Sequence, residues 1–369
     1  MVAEIFGPSS IARLRPAVLR RRGWAARTGK TAPQALSLAL QGGGAHGAFT
    51  WGVLDRLLEE PWLEVAGLSG ASAGALNAAA LAAGWQDSGR AGARAALDRL
   101  WRRIGSLADF GPPLAAAPAF QLMTRLFSPY QLNPLDVNPL RSVLEDVIDF
   151  EALRHPRAPR LFISATDLKQ GRSVVFENEE MRVEVLLASA CLPHLYKAVA
   201  IGDAHYWDGG FMANPTIFPL VFRCDSRDVL IVQIDPPTTD DVPRSARQID
   251  TRRSQIVFNA PLMRELEALA YMGRLVGKEG IGKNGVGKEG VGKGGAGRER
   301  GRLGARVKGL NLHLLHGGAA MQGLDLASKQ RAERGFLAML KETGRRAAEA
   351  WLTAHREDLG RRSTLELPF

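Results

Sequence analysis

Two short apolar runs, "ALSLALQ" (residues 35–41) and "LEVAGLSG" (residues 63–70), each stop abruptly in a glycine-rich turn. Gly42, Gly43 and Gly44 end the first, and "TWGVLDRLLEE" (50–60) follows with Val53, Leu54, Leu57 and Leu58 at helical spacing. The second runs into "GASAG" (70–74) and then an alanine-rich stretch of high helix propensity. Short apolar runs bounded by glycine read as buried strands. Strand, helix, strand and helix in that order imply a parallel sheet with helices on its faces.

The rest of the chain extends that pattern. Strands are expected at 160–167, 173–177, 229–235 and 310–316, the last with alternation that suits a sheet edge. "EEMRVEVLLASACL" (179–192) reads as a helix ending before Pro193. Residues 327–355 place Phe336, Leu340, Ala347 and Trp351 on one helical stripe, which should dock on the sheet. Residues 106–140 are proline-rich and irregular, an excursion on the substrate side. The expected fold class is α/β, a mainly parallel central sheet flanked by helices.

The net charge of +10 on 369 residues invites a nucleic-acid reading, so its location matters. Residues 1–34 hold seven Lys/Arg against Glu4, and residues 277–308 hold nine against three Glu. Each segment is therefore +6 and the remainder of the chain is −2. Basicity confined to two peripheral segments argues against a dedicated nucleic-acid fold. Residues 277–296 repeat with period five, "GKEGI GKNGV GKEGV GKGGA". They mimic a phosphate-binding loop, but Glu279, Asn284, Glu289 and Gly294 stand where the Mg²⁺-binding Ser/Thr is required. A flexible surface insertion is the expectation. Cys191 and Cys224 provide neither a disulfide framework nor zinc spacing, which suits a reducing, cytoplasmic setting. The arm at 1–34 lacks the apolar core of a secretory signal; a solvated arm able to touch anionic membrane is expected.

Three motifs carry chemistry. "GGGAHG" (42–47) leaves backbone N–H groups at a helix start, which suits a dinucleotide pyrophosphate, a developing oxyanion or simply a tight turn. "GASAG" allows Ser72 to sit on a sharp strand-to-helix turn between Gly70 and Gly74, as a nucleophile or as a helix N-cap. "YWDGGFMANP" (206–215) puts Asp208 before Gly209 and Gly210 among aromatic residues, as a base of raised pKa or as a turn aspartate.

Taken in this order and joined by "LLASACLPHLYKAVAIGDAHYWDGG", the three motifs resemble the patatin-like phospholipase (patatin-like acyl hydrolase) family. The resemblance covers residues 35–235 most strongly. It implies a Ser72–Asp208 dyad, with an oxyanion hole from the amides of Gly42, Gly43, Gly44 and Ala73. Gly47, Gly70, Gly74, Gly209 and Gly210 would shape the turns. His46 departs from the family, which usually has Arg or Lys there. No metal or cofactor is implied, and a fatty-acyl ester such as a phospholipid is the implied substrate. The segments 120–135 and 193–199 are candidates for an acyl groove, with core packing as the alternative. The implied divisions are a basic arm (1–34), a catalytic domain (35–276), the Gly/Lys insertion (277–308), and a strand and helix (309–369) completing the same domain.

Seven histidines, at 46, 155, 194, 205, 313, 316 and 355, leave a Ser-His-Asp triad open, with His194 and His205 nearest Asp208 in sequence. Two other classes of function remain. A dinucleotide-binding oxidoreductase would use "GGGAHG" but leave "GASAG" and "DGG" unexplained. A catalytically silent lipid-binding or regulatory protein would keep the fold with Ser72 and Asp208 apart.

Overall fold

The computed structural model describes residues 33–108, 127–239, 241–279 and 304–366. Nearly all of the basic arm, residues 109–126 of the proline-rich excursion and residues 280–303 of the Gly/Lys segment lie outside the described residues. The strands are β1 (Gln34–Leu40), β2 (Leu63–Gly70), β3 (Arg160–Asp167), β4 (Arg172–Glu177), β5 (Val199–Ile201), β6 (Ala204–Asp208), β7 (Asp228–Gln233) and β8 (Asn311–His316). They form one sheet in the order β5-β6-β3-β2-β1-β7-β8, with β4 paired to β3. From β3 to β8 every neighbour in that order is parallel, while β6 and β4 meet β3 antiparallel. The central sheet is thus mainly parallel. The inner strands β1 and β7 are covered on both faces, which is why they read as unbroken apolar runs.

The helices that bear on the site and its core are α1 (Gly47–Leu57), α2 (Ala73–Leu107), α3 (Val183–Ser189), α4 (Ala246–Glu279) and α5 (Arg334–His355). Ser88 and Gly89 leave helical geometry and break α2 in two. The large apolar cluster combines β1 to β3 with α1, α2 and α5, and a second cluster on the other face takes in α4 through Leu262, Leu266 and Leu269. Among the described residues no helix is long and apolar enough to cross a membrane.

Several local expectations change. The helix expected at 179–192 is a 3-10 turn (Asn178–Glu180) followed by the shorter α3, because Met181 and Arg182 are extended between them. The hairpin β5–β6 was not foreseen; its strands are too short and mixed to show a period. Residues 327–330 form a separate 3-10 turn, so α5 begins at Arg334. Rather than docking on the sheet, α5 packs chiefly on α1, and reaches β8 only near its end, where Trp351 meets the His313 ring edge-on.

Glycine makes that crossing possible. A Cβ on Gly52 would collide with the Lys341 carbonyl, and one on Gly344 with the Phe49 carbonyl. Gly52→Ala is therefore expected to destabilise the fold by about 3 kcal/mol, because two helix backbones must separate. Urea unfolding checks this, and an unchanged midpoint would show that the crossing relaxes freely.

Candidate active site

The parallel register aligns the carboxyl ends of the strands: Leu40 lies beside Gly70 and Val232, and Gly70 beside Ile163. Ligands bind at this edge of an open parallel sheet. Ser72 stands just past Gly70 as the residue that opens α2, with φ 52 and ψ −127. Such a left-handed backbone costs a side chain about 1–3 kcal/mol and persists only where surroundings impose it. They do so here. The Ser72 N–H donates to the Ser189 carbonyl (3.1 Å) and to its Oγ (3.0 Å), and the Gly74 N–H donates to the Ala71 carbonyl (2.8 Å). A Cβ on Gly74 would strike the Leu40 carbonyl, so only glycine lets α2 start this close to β1. The Ser72 hydroxyl makes no cap hydrogen bond, which removes the N-cap alternative and leaves the oxygen available.

Asp208 ends β6 and is almost fully buried at 1% exposure. β3 places it: Ala165 faces Asp208 two residues beyond the Ile163–Gly70 rung. The Thr166 hydroxyl donates to the Asp208 carbonyl (2.7 Å), and the Asp208 N–H donates to the Cys191 carbonyl (2.9 Å). The side chain accepts the Gly210 N–H at Oδ1 (2.7 Å), while Oδ2 has no hydrogen-bond partner among the described residues. Burial pushes this carboxyl up to about 6, opposed by the Gly210 N–H, the Ser72 hydroxyl and the Lys329 charge. The Ser72 side chain is thus near enough to act on Asp208 without a bond of normal geometry to Oδ2.

The glycine turn is built against the serine turn. A Cβ on Gly42 would come within 2.8 Å of the Ser72 Cβ. The Gly42 amide departs from the expected oxyanion set. The Gly42 N–H already donates to Asn214 Oδ1 (2.7 Å), so it is unavailable to an oxyanion. The N–H groups of Gly43, Gly44 and Ala73 have no acceptor among the described residues. Gly47 opens α1, and its carbonyl accepts the Asn77 side-chain amide (3.0 Å). Gly209 and Gly210 form the 3-10 turn after Asp208, with Gly210 under the Phe258 ring.

None of the seven histidines bridges Ser72 and Asp208. His46 is buried, its Nε2 lies 2.8 Å from Ser328 Oγ, and burial first, then Lys329, depresses it to about 3, so it is neutral. His155, His194, His205 and His316 are exposed, His355 pairs with Asp358, and His313 is buried with Asp228 at the far end of β7. Among the described residues no three His, Cys, Asp or Glu side chains group to hold a metal.

Sequence reasoning missed Ser189, Asn214, Lys329 and Gln41. Gln41 Oε1 accepts the N–H groups of Ile234 (2.7 Å) and Asp235 (2.8 Å), tying the end of β1 to that of β7. Asn214 lay inside the quoted Asp-Gly-Gly stretch, yet nothing in its type or spacing points to the glycine turn.

A family model described as Patatin-like phospholipase matches residues 38–221. Among solved structures the chain is similar to VipD from Legionella pneumophila, at 14% identity and a TM-score of 0.43, over 88% of this chain and 68% of that one. No curated protein matches it.

Proposed function

From the chain's membership of the patatin-like phospholipase family, we propose that it hydrolyses fatty-acyl esters of lipids, with Ser72 as nucleophile and Asp208 as general base. The observation that carries this reading is the unpartnered, buried Oδ2 of Asp208 beside a serine held at positive φ. A buried carboxylate with an unmet acceptor is costly unless a proton donor is meant for it.

In this mechanism Ser72 Oγ attacks the acyl carbonyl carbon and its proton passes to Asp208. The carbonyl oxygen gains the negative charge and meets the N–H groups of Gly43, Gly44 and Ala73, with the N-terminus of α2 adding positive potential. The tetrahedral adduct collapses, the proton moves from Asp208 to the departing alcohol oxygen, and the acyl group stays on Ser72. Water then attacks that ester as Asp208 takes its proton, and the second adduct collapses with that proton passing from Asp208 to Ser72 Oγ, so that the fatty acid leaves and the hydroxyl is restored. A pKa near 6 keeps the carboxylate ionised at neutral pH while making it a stronger base than an exposed aspartate.

Exposed apolar side chains suit a lipid substrate. Phe127, Tyr130 and Leu135 are exposed while Pro129 is buried, so the described part of the 120–135 segment is mostly surface; Val137 just beyond it is exposed, and so is Met212, four residues past Asp208. The test is covalent. A long-chain alkyl fluorophosphonate should label the protein once, and peptide mass spectrometry should place the label on Ser72. Medium-chain p-nitrophenyl ester hydrolysis should fall in step with labelling. Absence of both reaction and labelling would favour a lipid binder that performs no chemistry.

A further inference from the structure

The glycine turn carries no cation of its own, because His46 is a buried neutral ring fixed by Ser328 and set edge-on to Phe336. The neighbouring residue of the same 3-10 turn (Ala327–Gln330) stands where a charge would act. The Lys329 carbonyl lies against Gly44, where any Cβ would collide with it. Its Nζ is 2.7 Å from Asp235 Oδ2 and 5.5 Å from the centre of the Phe258 ring. Phe258 in turn covers Gly210, with its ring 2.6 Å from where a Cβ would stand. Asp235 follows Ile234, which packs on Gly43. The Asp235–Lys329–Phe258 unit therefore spans both halves of the site, the glycine turn and the turn that carries Asp208.

We propose that Lys329 is a positioning residue of this site: held by Asp235 over Phe258, its ammonium supplies the positive field under which Asp208 serves as base and the acyl oxygen gains charge. The proposal rests on the reading of Ser72 and Asp208 given above. It accounts for a neutral residue at position 46, because the charge arrives from a segment about 280 residues further on. The direction of the electrostatics agrees. Lys329 opposes the burial that raises Asp208, and it adds to the burial that depresses His46.

The groups around the pair are few enough to name. Asp208 faces the Ser72 hydroxyl, the Gly210 N–H, Lys329 and the Cys191 thiol, which burial pushes up to about 12 and so keeps neutral. Lys329 faces Asp235 and His46, with Asp325 nearby, itself paired to Arg247.

The test compares Lys329→Gln, which keeps a donor for Asp235 without the charge, with Lys329→Arg. Two readouts are taken on the full chain: the acid limb of kcat/KM for a p-nitrophenyl ester, and the pH midpoint at which Asp208 and Asp208→Asn proteins diverge in stability. In Lys329→Gln both should move up by about one pH unit, with kcat down about tenfold, and Lys329→Arg should restore both. The double variant Lys329→Gln/Asp235→Asn removes the carboxylate left unpaired, and the shift should persist there. A midpoint that does not move, or one that returns to normal in the double variant, overturns the proposal. If Ser72→Ala hydrolyses as well as the wild type, the reading of Ser72 as nucleophile falls instead, and the stability midpoint still reports Lys329 acting on Asp208.

Discussion

Ser72→Ala is expected to lower kcat for acyl-ester hydrolysis by about 10⁴-fold or more while the protein remains folded. Without Oγ no acyl intermediate can form, and the Gly43, Gly44 and Ala73 amides are left to orient water alone. Stability provides the internal control. The serine sits at φ 52, a conformation alanine tolerates no better and glycine adopts freely. Ser72→Gly should therefore be as inactive as Ser72→Ala and yet about 1 kcal/mol more stable than it, once strain relief is set against glycine's greater freedom in the unfolded chain. Hydrolysis assays with thermal unfolding monitored by circular dichroism read both effects. Full activity in folded Ser72→Ala would assign the chemistry to another nucleophile.

Asp208→Asn is expected to act in opposite directions on rate and stability. Removing the base should cost about 10²- to 10⁴-fold in kcat. In the wild type, kcat/KM should fall below about pH 6, because the base works only when ionised and its pKa stands near 6 rather than the ordinary 3.8. The same elevation sets the stability. A carboxyl whose folded pKa lies above its unfolded one binds its proton more tightly when folded. The contribution is therefore complete below about pH 4 and is lost as pH rises through about 6. Asparagine cannot ionise, so the variant should match the wild type near pH 4 and exceed it by about 3 kcal/mol at pH 7 and above. Urea midpoints across that range decide the matter. A parallel offset at every pH would show that Asp208 is not under strain from burial.

What the sequence revealed follows from how far each signal reaches along the chain. β1, β3 and β7 were legible because strands buried along nearly all of their length must be largely apolar, and β1 and β2 because glycine ends each where a helix starts. Ser72 and Asp208 were legible because tight turns restrict the residues beside them. The supports were not. Ser189 reaches Ser72 from 117 residues away and Asn214 reaches Gly42 from 172, and each is a single polar residue in an unremarkable setting. The same blindness misassigned the Gly42 amide, since a glycine run does not reveal which N–H a distant side chain will occupy. The docking of α5 was misjudged for a related reason. Its apolar stripe showed that it must be covered, but only the pairing of Gly52 with Gly344 fixes α1 as the cover.

β3 joins the two halves of the site. One side of this strand carries the rung to Gly70, beside the serine turn, and the other carries the rung to Asp208. Both pairings join segments far apart in the chain, and such contacts form slowly because long loops must close first. Nucleophile and base therefore have no common frame until β3 has been seated from both edges. A newly made or partly unfolded chain holds a serine and an aspartate but no means of joining them. Its reactivity arrives with the finished topology, so the architecture itself keeps an unfinished chain from attacking the esters around it.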